Sequence, residues 1–67
     1  MATNTEIYRA ADLLVKEYGE MAPMGASLKA DQMRDRGNVP ARAIWLRVAK
    51  AAEELLSEAP PQNAVIN

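Results

Sequence analysis

At 67 residues the chain allows one domain with a small core. Chains of this length bury only about 60% of their unfolded surface and usually need a disulfide, a metal or self-association to help. There is no cysteine and no histidine, which excludes disulfides and leaves any zinc, copper or iron site with carboxylates alone. Eight Lys and Arg stand against nine Asp and Glu, and this near-neutral balance argues against a general nucleic-acid binder.

The N-terminus lacks the basic-plus-apolar pattern of a secretion signal, and the longest apolar runs are far too short to span a bilayer. Absence of cysteine fits a reducing compartment, so a soluble, cytoplasmic protein is expected. Phenylalanine is missing, alanine is abundant and four methionines are present. Alanine favours helix and lets helices approach closely.

Thr3 and Glu6 have capping-box spacing, which starts a helix near Asn4 or Thr5. Its apolar set is Ile7, Ala10, Ala11, Leu14 and Tyr18, with Tyr8 and Val15 on one flank; Asp12 and Lys16 form an i, i+4 pair in the favourable order. Gly19 falls where a left-handed C-terminal cap is expected. In the second segment Pro23 suits a first helical turn, whereas Gly25 weakens the helix by about 1 kcal/mol relative to alanine. Ala22, Ala26, Ala30 and Met33 make one stripe there; Met21, Gly25 and Leu28 make another. Gly37 ends this helix, and Asn38 caps the next, with Pro40 in its first turn.

The third segment is the most regular. Ala41, Ile44, Trp45, Val48, Ala51, Ala52, Leu55 and Leu56 recur at the spacing of one helix face. Trp45, beside Ile44 and Val48, is expected to anchor the core. Leu13, Leu46 and Ala49 are the residues that one core face cannot accommodate. The tail from Ala59 to Asn67 opens with Pro60-Pro61 and has no period, so disorder is expected.

The order Gly19, Ala30, Gly37-Asn38, Trp45, Ala51-Ala52, Leu55 resembles small uncharacterised helical proteins common in alphaproteobacteria. The likeness spans roughly Glu6 to Leu56. In that pattern an Asp follows the second Gly, where this chain has Asn38, and Pro40 is a further departure. The resemblance implies an all-helical fold and a bacterial cytoplasmic source, and it brings no activity.

Catalysis has little to work with. No histidine or cysteine can serve as a base or thiolate near neutral pH, and Ser27 and Ser57 have no activating partner. The carboxylate pairs Asp31/Asp35 and Glu54/Glu58 share helical faces and could bridge a hard cation, but a solvated polar face explains them better. Charge is unevenly distributed. Up to residue 28, Arg9 and Lys16 face Glu6, Asp12, Glu17 and Glu20. Between 29 and 50, Lys29, Arg34, Arg36, Arg42, Arg47 and Lys50 face only Asp31 and Asp35. Three glutamates follow. The basic band Arg34, Arg36, Arg42, Arg47 and Lys50 could meet phosphates, or it could match the acidic ends of the same or a second chain.

The expectation is therefore an all-α fold, a small three-helix bundle with short connections. The helices lie near residues 5–18, 21–36 and 39–58 within a domain of residues 1–59, and 60–67 form the tail. The leading function is a non-enzymatic module for self-association, as a homodimer, or for protein–protein interaction, through Leu13, Met21, Met24 and Leu46. The alternative is a small regulatory nucleic-acid binder that uses the basic band. No cofactor, metal, membrane or small-molecule substrate is expected.

Overall fold

The computed structural model describes residues 3–58, and helix dominates them. Helix α1 spans Asn4–Tyr18, a 3-10 turn spans Gly19–Met21, α2 spans Ala22–Asp35 and α3 spans Val39–Glu58. No strand occurs among the described residues, so the chain is all-α. The expected tail 60–67 and the domain end at residue 59 lie outside the described residues.

One expectation needs correction. No loop separates the first two helices: helical backbone continues from Asn4 to Asp35, and the described chain has two helical runs rather than three helices joined by loops. Gly19 is the reason. Its φ of 58° is the positive value that glycine tolerates, but its ψ of −131° is not that of a left-handed cap. Its N–H still bonds the Val15 carbonyl, and the N–H of Ala22 bonds the Gly19 carbonyl. The chain thus enters a 3-10 turn directly, and Pro23 is accepted in the first turn of α2, where a missing N–H costs nothing.

The other helix ends follow local chemistry. The Glu6 N–H donates to Thr3 Oγ1 at 3.2 Å and the Thr3 N–H to Glu6 Oε1 at 3.1 Å, a complete capping box. After α2, Gly37 adopts φ 74° and the Asn38 N–H reaches back to the Met33 carbonyl at 2.8 Å, which closes the helix and turns the chain. The Asn38 side chain then accepts from the Ala41 N–H at 3.1 Å and caps α3.

Helix α3 carries the packing, meeting both α1 and α2 far more extensively than these meet each other. The buried core is Ile7 and Ala11 from α1, Ala22, Ala26 and Ala30 from α2, and Val48, Ala49, Ala51 and Ala52 from α3. All but Ile7 and Val48 are alanines, so the helices meet nearly backbone to backbone. Leu14, Val15, Ile44, Trp45 and Leu55 pack around this seam, each only partly buried.

Three sequence expectations change as a result. Trp45 borders the core instead of filling it, because the alanine seam leaves no space for an indole between α2 and α3. Ala49 is buried, because α3 is packed by two neighbours and its buried arc is wider than one stripe. Tyr18 is exposed, because α1 ends there and the chain bends away at Gly19.

Candidate functional site

The side chains that would normally fill a core lie largely outside it. Leu13 (59% exposed), Met21 (55%), Met24 (55%) and Leu46 (40%) all face solvent, as do Leu28 and Val39. They do not form one patch. Leu13 stands on the far side of α1 from Ala11, with Arg9, Lys16 and Glu17 one turn away.

Helix α2 is apolar on two opposite faces. Ala22, Ala26 and Ala30 face inward at i, i+4 spacing. About half a turn away, Met24 and Leu28 face outward, with Met21 preceding them on the 3-10 turn. Gly25 lies between. A Cβ built on it would meet no atom within 4 Å, so nothing among the described residues packs into that notch. Leu28 belongs with Met21 and Met24. Its signal in the sequence was the second stripe of α2, which the alanine stripe frees from any inward role.

On α3, Leu46 and Val39 project from the side away from the core, seven residues apart. Arg42 and Lys50 flank Leu46 one turn before and after it.

The basic band does not gather on a single face. The Arg34 guanidinium lies 3.8 Å from Asp31 and 3.6 Å from Asp35, which accounts for the Asp31/Asp35 pair as a local, solvent-exposed ion cluster. Arg47 Nη2 donates to Asn4 Oδ1 on α1 at 2.8 Å. Arg42, five residues earlier, is turned about 140° from Arg47 around the helix. It is half-buried, and its Nε has no acceptor among the described residues. Arg36 and Lys50 are exposed.

Surface depressions are shallow. One of about 140 Å³ lies between α1 and α3 beside Tyr8, Arg47 and Glu54, below the range of roughly 300–1,000 Å³ usual for ligand pockets. A larger, apolar one of about 380 Å³ is open along Pro40, Ala43, Ile44 and Arg47. No group of three or more His, Cys, Asp or Glu residues that could hold a metal occurs among the described residues. Among them, too, no helix is long and apolar enough to cross a membrane.

The chain matches no protein-family model, and no curated protein or solved structure shows significant similarity to it.

Proposed function

We propose that this protein is a small, non-enzymatic helical interaction module whose first partner is a second copy of itself. The observation that carries this reading is the inversion of its apolar side chains: alanines fill the interior, while Met21, Met24, Leu28, Val39 and Leu46 stand in solvent. A chain this short, without disulfide or metal, has little core free energy to spare. Burying those side chains between molecules supplies what the alanine seam does not. In this reading α1, α2 and α3 act together as a compact three-helix bundle. Its proposed setting is the bacterial cytoplasm, which suits both the cysteine-free composition and the resemblance to small alphaproteobacterial helical proteins.

Sedimentation equilibrium and thermal melts over a concentration series test the reading. Association should appear by high micromolar concentration, and the melting temperature should rise with concentration by mass action. A monomer throughout, with an invariant melt, would rule self-association out and leave only a heterologous protein partner.

Nucleic-acid binding by Arg34, Arg36, Arg42, Arg47 and Lys50 ranks second, since these cations do not share one face and Arg47 is hydrogen-bonded to Asn4. Salt separates the two readings: phosphate binding weakens steeply as salt rises, and apolar association does not.

A further inference from the structure

Met21, Met24, Gly25 and Leu28 stand at positions i, i+3, i+4 and i+7 of one continuous helical stretch. Four residues at that spacing make the hole that receives a single side chain from a facing helix in knobs-into-holes packing. Three of the four are large, apolar and more than half exposed. The fourth is a glycine, whose place in a helix interior costs stability relative to alanine, and around it the chain leaves open space. Nothing among the described residues uses the hole, and the glycine deepens it.

The rim is acidic in balance: Glu20 precedes the hole, and Asp31 and Asp35 follow Leu28 along the same exposed side of α2, with Lys29 as a cation on the other flank. Arg34 offsets part of this charge through exposed, long ion pairs, which hold little energy in water. A two-fold pairing of α2 with α2 would therefore set acid rim against acid rim. The complementary element is on α3. Leu46 is an exposed leucine with cations one turn before it (Arg42) and one turn after it (Lys50). With Leu46 seated in the hole, the long side chains of Arg42 and Lys50, one turn to either side of it, have the reach to approach Glu20 at one end and Asp31 at the other.

We propose that the hole Met21–Met24–Gly25–Leu28 of one molecule receives Leu46 of a second copy, with Arg42 and Lys50 against its acidic rim. This rests on the self-association reading and gives it a geometry. Hole and knob lie on different helices, so each molecule offers both halves. Two copies close as a two-fold dimer if both contacts form at once; if only one forms, assembly continues past a dimer or closes as a larger ring.

The test uses two variants and their mixture, followed by sedimentation velocity, with a dilute far-UV melt to verify folding. Gly25→Leu fills the hole and leaves Leu46 intact; Leu46→Glu removes the knob and leaves the hole intact. Each alone should associate at least about tenfold more weakly than wild type, as expected when a hot-spot contact is removed. Mixed in equal amounts, they should form a 1:1 complex that does not grow, because only one productive contact exists between them. Should Leu46→Glu not fold, Lys50→Glu replaces it, with association expected to weaken and to recover against either an Asp31→Lys or a Glu20→Lys partner, according to the direction in which the helices run. If wild type associates but the variants associate equally well, or their mixture gives no complex, the geometry is wrong while self-association stands. If wild type is monomeric at every concentration, both fall together.

Discussion

Tyr8 on α1 donates its phenolic hydroxyl to the Glu54 carboxylate on α3, 46 residues further along the chain. With Arg47 donating to Asn4 one to two turns away, this bond fixes where α1 lies along α3. Ile7 and Ala11 are the buried residues of α1 there, with Ala10, Leu14 and Val15 only partly buried beside them, so polar links at the edge matter more than in a larger domain. Tyr8→Phe keeps the ring and removes the donor. It should cost about 0.5–1.5 kcal/mol, read as a melting point lower by about 4–8 °C per kcal/mol. A variant that melts with wild type would show that the bond contributes nothing.

Gly19, which opens the 3-10 turn, and Gly25, inside α2, should respond in opposite directions to substitution. Gly25 has helical surroundings and free space for a methyl group, so Gly25→Ala should stabilise the isolated fold by about 0.5–1 kcal/mol. Gly19 has φ 58° with ψ −131°, a region that other residues rarely adopt, and Gly19→Ala should cost about 1–3 kcal/mol. Denaturant titrations at low micromolar concentration, where association is minimal, compare them directly. Equal effects at both sites would contradict the backbone geometry at Gly19.

Much of the helical framework was legible from local chemistry, because caps and turns are set by residues close in sequence. Thr3 with Glu6, Asn38 before Pro40, and Gly37 after α2 each state a helix boundary through a short-range hydrogen bond or a permitted φ. What periodicity could not supply was which of two stripes on α2 faces inward. Hydrophobicity favours Met21 and Leu28, whereas close approach favours Ala22, Ala26 and Ala30, and only the position of α3 decides. For the same reason Trp45 read as a core residue: its place on the stripe was visible, but the width of the gap between helices was not. Gly19 misled for another reason, since the sequence marks a positive φ there and leaves ψ open. Leu13 and Leu46 were recognisable as off-core because each adjoins a residue that takes the inward position.

Core size makes its own prediction. Ala26 and Ala52 are fully buried in the seam between helices. Ala26→Leu or Ala52→Leu forces α2 and α3 apart and should cost at least about 1–3 kcal/mol. Trp45→Ala, which trims a side chain that is only partly buried, should cost less than the roughly 3–5 kcal/mol of a fully buried tryptophan. Urea midpoints rank these variants. If Trp45→Ala proves the most damaging of the three, the alanine seam is not what holds the fold.

The N-terminal cap offers an independent check. Thr3→Ala removes the acceptor for the Glu6 N–H and breaks the reciprocal box, for an expected loss of about 0.5–2 kcal/mol. Hydrogen exchange should show the loss first as faster exchange in the opening turn of α1, with α2 and α3 little changed. Uniform acceleration across all three helices would mean that α1 does not open separately.

A seam built from methyl groups also shapes how this molecule meets temperature. Heat capacity rises on unfolding in proportion to the apolar area newly wetted, about 0.45 cal/K/mol for each Å². Here the larger apolar groups (Met21, Met24, Leu28, Leu46) are already wet in the folded chain, so the monomer should unfold with an increment below the usual 12–15 cal/mol/K per residue. Its stability should accordingly change little between cold and warm conditions, tracing a broad, shallow arc. When copies assemble and those groups are covered, calorimetry should find the increment per chain larger and the arc more sharply curved.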